Sequence, residues 1–240
     1  MDFSFSDDQE RLRERVRAFA AARLAPHYQA GDRAGRMRPE LPAEMAAEGL
    51  LGLRVPAEHG GMGAGCVTTG VAMEEVAAAD LNAGYLLLLA ALIADILLAS
   101  GTAEQRGRWL PAIGAGAQLP ALCLTEAEHG SDAAAIELRA DADGDGWRLT
   151  GAKTSVMLGA VATHGLVFAR TGDAGARGIT AFYVPLEAPH VRREPLSDLG
   201  NRAMGRATLE FRGLRAEAGA VVGGEGLGFV QVMRGFEYSR

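Results

Sequence analysis

The hydrophobic pattern changes period once along this chain, near residue 119, and that change limits the fold more than any single motif. Before it, the spacing is helical. Ser6 and Gln9 form a capping box, and Leu12, Val16, Phe19 and Leu24 follow at the interval that keeps apolar side chains on one helix face. LPAEMAAEGLLG predicts a second helix over 41–52, with Pro42 at its start and Gly49 or Gly52 near its end. Residues 66–80 and 81–100 predict two more, and TAEQRGRWLPAIGAG a fifth. After the change, ALCLT, GWRLTG, HGLVFAR, GITAFYVP and RATLEFRG are short runs of β-branched, aromatic and leucine residues set between Gly, Asp and Pro clusters. From Gly226, FVQVMRGFEYSR returns to helical spacing and stops at residue 240 with neither a glycine cap nor a proline, so its continuation is missing or another chain completes it. The expected class is α+β: an all-α domain over 1–118, a β barrel or sandwich over 119–224, and the first turns of a further helical unit over 225–240.

With 240 residues, 48% of them hydrophobic, the chain can bury a substantial core. A net charge of -6, with Lys and Arg scattered rather than clustered, argues against nucleic acid as a partner. The acidic, amphipathic start MDFSFSDDQERLRER has no apolar signal-peptide core, and a cytoplasmic location is expected. Cys66 and Cys123, far apart and outside any C-x-x-C spacing, read as reduced, buried, small apolar residues. YLLLLAALIADILLAS, over 85–100, is shorter than the roughly 20 apolar residues of a bilayer span and carries Asp95, so it reads as a buried core helix with no membrane role. Asp95 itself reads as a carboxylate at the helix edge.

Residues 124–135, LTEAEHGSDAAA, are the chemically dense stretch: a strand delivers a loop rich in hydroxyl and amide donors, as an anion or a cofactor requires. Ser131 also reads as the N-cap of a helix starting at DAAAIE, and a capped N-terminus is itself an anion site, so the two readings are compatible. Two other stretches carry less. DADGDG, over 141–146, matches the start of a calcium loop, but its twelfth position falls on Ala152, so it reads as a hairpin turn between ELRAD and GWRLTG. GGEGLG, over 223–228, has the wrong glycine spacing for a dinucleotide loop and reads as a link into the last helix. No metal site is expected.

VPAEHGGMG, SGTAEQRGRWLPAIGAG, LTEAEHGSDAAA, GAKTSVMLG, DLGNRAMGRATLEF and GLGFVQVMRGFEYSR, taken in this order, resemble the flavin-dependent acyl-CoA dehydrogenase family along the whole chain. The resemblance implies an FAD cofactor, with Leu122, Leu124 and Thr125 running along the flavin ring and the Thr hydroxyl and backbone amides bonding its N5 and carbonyl edge. It also places Gly130 and Ser131 where backbone approaches a diphosphate or pantetheine, Ser155 and Met157 beside the flavin, and Ser131, Glu237 and Arg240 near the CoA part of the substrate. Taken alone, Glu237 and Arg240 are an i, i+3 pair on a helix face.

Where the family usually has Trp, Ile and Ser or Thr after a Lys, this chain has Ser155, Val156 and Met157 after Lys153 and Thr154, which removes an aromatic shield. Lys153-Thr154-Ser155 together with QVMRGFEYSR looks more like the subgroup acting on alicyclic thioesters such as cyclohexanecarboxyl-CoA. The implied reaction is α,β-dehydrogenation of an acyl-CoA or acyl-carrier thioester, with an electron-transfer flavoprotein as acceptor and a homotetramer at full length. The general base belongs to the C-terminal helical bundle, so no catalytic residue is expected in this segment, which alone should be inactive; Asp80 and Asp95 are poor substitutes. Two alternatives stay open: a non-catalytic or partner-completed subunit, whose apolar Leu227, Val230, Met233 and Phe236 something must cover, and a related flavin oxidase or monooxygenase.

Overall fold

The computed structural model describes residues 4–186 and 189–239, and it opens with the expected capping box. Ser6 Oγ accepts the Gln9 N–H while Gln9 Oε1 accepts the Ser6 N–H, and α1 (Asp7–Phe19) starts there. The helix passes through a π-turn over Ala20–Leu24 into α2 (Ala25–Ala34), which buries no residue and ends on left-handed Gly35. Leu12, Val16, Ala20 and Leu24 form the inward stripe. Helix α3 (Leu41–Ala47) is shorter than the 41–52 span because the chain turns at left-handed Gly49. Arg13 and Arg17 both bond Glu75 of α4 (Cys66–Ala79), and Glu44 of α3 accepts from Arg23 and Arg38.

Helix α5 (Leu81–Ser100) has 20 residues, four more than the 85–100 run, and by length and composition alone it could cross a membrane. Burial decides its role here. Leu86, Leu87, Leu89, Ala90, Ile93, Ala94, Ile96 and Leu97 are all enclosed by the rest of the chain, as a core helix requires. Asp80 caps it by accepting the Asn82 N–H at 2.8 Å, and Asn82 Oδ1 in turn accepts the Met204 N–H at 3.1 Å, which ties the helical part to the strands. Helix α6 (Ala103–Gly114) carries a second capping box, Thr102 with Gln105; the Gln105 Nε2 donates on to the carbonyls of Gly219 and Val221.

The strands join into one sheet in the order β6 (Val191–Pro195), β7 (Ala207–Ala216), β3 (Gly146–Val156), β2 (Arg139–Asp143), β4 (His164–Arg170), β5 (Ile179–Pro185) and β8 (Val221–Val222), with β1 (Pro120–Cys123) parallel to β4 off that path. Strand β2 (Arg139–Asp143) turns into β3 (Gly146–Val156) through Gly144, whose φ is 66°, so DADGDG is a two-residue hairpin loop. Strand β5 (Ile179–Pro185) lies between β4 and β8 (Val221–Val222), while β7 (Ala207–Ala216) lies between β3 and β6 (Val191–Pro195). Phe168, Phe182 and Phe211 fill the interior, and Trp109 of α6 packs on Tyr183 with ring centroids 4.8 Å apart. The GGEGLG link has left-handed glycines at 223, 224 and 226, and α7 (Gly228–Ser239) then lies against α5 and β5, so close that a Cβ on Gly228 would sit 2.8 Å from the Thr180 carbonyl carbon.

Two side-chain expectations are corrected and a third gains a partner. Cys123 is buried, but Cys66, at the first turn of α4, is exposed. Asp95 is a helix-edge carboxylate as expected, but it is half-buried and bonded by Arg54 Nε at 3.0 Å and 3.1 Å, because α5 faces the 52–55 turn there. Ser131 does not cap a helix, since Asp132 leads only into a 3-10 turn over Ala133–Ala135 without a side-chain cap.

Candidate functional site

Strand β1 ends at Cys123, and the next two residues leave the sheet interior: Leu124 is still buried, and Thr125 is half-buried. Beside them β3 is irregular. Its register against β7 shifts between Lys153 and Val156, and Ser155 sits in the left-handed region with φ 55°, followed by Leu158 at 59°. A serine and a leucine held there cost of order 1 kcal/mol each, so the surrounding structure must impose the bulge. One of its ties runs to the segment just past β1: the Thr154 N–H donates to the Thr125 carbonyl at 2.8 Å, and the Thr154 hydroxyl pairs with Thr208 Oγ1 of β7 at 2.9 Å. The Thr154-to-Thr125 bond sets the 122–125 segment beside the 155–157 bulge and makes a ledge, along which Leu124 is buried and Leu122, Thr125, Ser155 and Met157 are half-buried.

Beneath the ledge lies an ion pair that the sequence reading passed over. Lys153 is fully buried, and its Nζ donates to Glu126 Oε1 at 2.7 Å and to the Leu124 carbonyl at 2.9 Å. Glu126 also accepts the Glu137 N–H at 2.6 Å and the Leu138 N–H at 2.8 Å, so one carboxylate gathers both ends of the 124–138 loop. Burial pulls the Lys153 ammonium down to about 8, with the Glu126 charge resisting. Burial also pushes Glu126 upward, but Lys153 and the two backbone donors outweigh it and hold the carboxyl below its ordinary value. Both groups are charged at neutral pH. One signal was available: Leu149, Gly151 and Lys153 share a phase in β3, which puts a lysine on the inward face beside a buried leucine.

Gly130 and Ser131 are exposed at the outer side of the loop, beyond a tight turn in which Glu126 and His129 exchange backbone bonds at 3.1 Å and 3.3 Å. Glu237 is exposed on α7, and Arg240 lies outside the described residues. Leu227 and Val230 are 49% and 47% exposed, whereas Met233 and Phe236 pack on the core. Among the described residues, three buried or half-buried acids are engaged by neighbours: Asp80 with Asn82, Asp95 with Arg54 and Glu126 with Lys153. A cavity of about 180 Å³ between α4 and α5 is lined by Met73, Leu88, Ala91 and Leu92, with the Arg54–Asp95 pair at its edge.

What the ledge offers is a set of donors. Among the described residues, the Thr125 N–H and the Thr125 and Ser155 hydroxyls have no protein acceptor. Unpaired donors beside apolar Leu122 and Met157 suit a flat group with a polar rim, and the residues present fit a flavin ring on that ground.

An all-α unit leading into an eight-stranded sheet, with a donor-lined ledge where the first strand ends, defines the class as a two-part α+β scaffold. Residues 6–117 match the acyl-CoA dehydrogenase N-terminal domain and residues 121–214 the acyl-CoA dehydrogenase middle domain, and the chain belongs to that family. It is 32% identical over 240 residues to a probable acyl-CoA dehydrogenase, FadE25, of Mycobacterium tuberculosis, covering 99% of this chain and 62% of that protein. The butyryl-CoA dehydrogenase of Megasphaera elsdenii superposes with a TM-score of 0.94 at 28% identity, over 99% of this chain and 64% of that one. A glutaryl-CoA dehydrogenase from Mycobacterium smegmatis, solved in complex with FADH2, superposes at 0.87 with 27% identity, over 96% and 60%. The chain thus spans under two thirds of the length of these relatives.

Proposed function

We propose that this chain forms the N-terminal and middle domains of an FAD-dependent acyl-CoA dehydrogenase acting on acyl thioesters. The observation that carries the reading is the ledge: the Thr125 N–H and hydroxyl, without an acceptor among the described residues, set beside the Ser155 bulge by the Thr154-to-Thr125 bond. Support comes from the family and from a relative solved with FADH2. Bound FAD would supply the acceptor for the hydride that leaves Cβ of the thioester. The chain's own part is to present donors at the polar rim of the ring, through Thr125 and Ser155, and apolar surface at its face, through Leu122, Leu124 and Met157.

The proton from Cα needs a carboxylate, and with Asp80, Asp95 and Glu126 already engaged, that base is proposed to come from a C-terminal helical bundle. An electron-transfer flavoprotein as acceptor, a homotetramer and a cytoplasmic location belong to the same reading by family resemblance. So does an alicyclic acyl group, supported by the Lys153-Thr154-Ser155 sequence. A second reading, a subunit completed by a partner, is favoured by Leu227 and Val230, whose exposed apolar surface needs cover. The test is the visible spectrum of the purified full-length protein, followed by anaerobic titration with a panel of thioesters. A flavin band that bleaches with one thioester class is expected; protein that stays colourless after incubation with FAD sinks the proposal.

A further inference from the structure

We propose that Lys153 is a positioning residue that polarises the Leu124–Thr125 peptide, so that the Thr125 N–H faces the ledge as a strengthened donor toward the flavin edge that gains negative charge on reduction. The inference rests on the flavin reading above and deepens it. A peptide unit carries its carbonyl and its N–H on opposite sides of one conjugated plane, so a cation bonded to the oxygen draws electron density from the nitrogen. Lys153 Nζ is bonded to the Leu124 oxygen at 2.9 Å, and the N–H of that same peptide is the Thr125 N–H, which has no acceptor among the described residues.

A merely mechanical role for Lys153 is the competing explanation, and the loop's other bonds weaken it. Glu126 already holds Glu137 and Leu138, and Thr154 already holds the Thr125 carbonyl, so the loop is tied without the contact to Leu124. A lysine serving only as counter-ion would give its protons to the carboxylate; this one divides them between the carboxylate and one particular carbonyl. The charge is present to do this work: Glu126 stays ionised beside it, and burial pushes the neighbouring Cys123 thiol up to about 12, so no second anion competes. Because the cation is fully buried, solvent screens it little on its way to the ledge.

The experiment uses the full-length protein loaded with FAD and compares it with a double variant, Glu126→Gln with Lys153→Met. That pair removes both charges together and leaves no uncompensated ion, while the amide oxygen introduced by Glu126→Gln keeps an acceptor for a backbone N–H. The readout is the reduction potential of the bound FAD. Loss of one charge-assisted donor is expected to lower the preference for reduced over oxidised FAD about tenfold, a shift of about 30 mV to more negative potential for a two-electron couple. A double variant that binds FAD with unchanged potential overturns the proposal and leaves the flavin reading standing. A wild-type protein that takes up no FAD overturns both.

Should the double variant fail to fold, the unaltered protein decides. Labelling Leu carbonyl carbon and Thr nitrogen selects Leu–Thr peptides, of which Leu149–Thr150, inside β3, is the internal reference without a bonded cation. The Leu124 carbonyl is expected downfield of Leu149, as a carbonyl accepting from an ammonium is; coincident shifts overturn the polarised peptide.

Discussion

Arg193 offers the sharpest test of how the ledge is held. It lies in β6, and its guanidinium donates to three carbonyls: Gly159 at 2.5 Å, Ala162 at 2.8 Å and Leu186 at 2.7 Å. The first two belong to the turn that follows Met157, so the ledge's apolar end is pinned by a cation with no carboxylate partner among these bonds. Half-burial lowers its pKa from the ordinary arginine value, which leaves it charged at neutral pH. At the low end of about 1.5 kcal/mol for a bond to a charged group, three bonds are worth about 4.5 kcal/mol, and relief from burying the cation returns about 1.5 kcal/mol. Arg193→Met should therefore cost about 3 kcal/mol. Arg193→Lys keeps the charge but not the fork, so it should recover only about a third of that loss. With a urea slope of about 3 kcal/mol/M, the Met variant's midpoint should fall by about 1 M at neutral pH. A midpoint within about 0.2 M of wild type, or a Lys variant as stable as wild type, would refute the account of Arg193 as a multidentate pin.

Glu44 is held down to about 2, first by its bond to Arg38 and then by Arg23, against an ordinary 4.5. A carboxylate lowered on folding stabilises above its unfolded value, so the deficit of Glu44→Gln in denaturant midpoint should be full at neutral pH and vanish as pH falls from about 4.5 towards about 2. A deficit independent of pH would contradict the pairing. Gly228→Ala should cost about 1–3 kcal/mol by prising α7 from β5, since its Cβ meets backbone that cannot yield; limited proteolysis should then cut α7 first, and equal resistance would count against this packing. Iodoacetamide under mildly alkaline conditions should label exposed Cys66 and spare Cys123, whose thiol burial raises to about 12; equal labelling of the two would show that the β1 interior is open.

What could be read in advance was what depends on near neighbours in sequence. The Ser6–Gln9 box, the hairpin at Gly144 and the glycine link into α7 each involve residues a few positions apart, and each formed as its spelling implied. Thr102 and Gln105 have the same spacing and make a second box. Strand β6 escaped notice because VRREP is charged and ends in proline, the composition of a guarded sheet edge rather than of a buried strand. Helix α2 escaped because it buries nothing and so leaves no apolar stripe. At the ledge, Thr125, Ser155 and Met157 could be named from the family resemblance, but not the reason they meet. That reason is a pair 27 positions apart, Glu126 and Lys153, and a register shift that exists only once β3 lies against β7. Arg54 and Asp95, 41 positions apart, were hidden in the same way.

Gln105 has a consequence for how the molecule breathes. One amide group satisfies the first turn of α6 through its oxygen and steadies the chain on both sides of Ala220 through its nitrogen, on the way into β8. Fraying of that helix start therefore releases the sheet's last, two-residue strand, and unzipping of the strand exposes the helix start. In hydrogen exchange the amides of both should open as one unit, at one rate, although more than a hundred residues separate them along the chain.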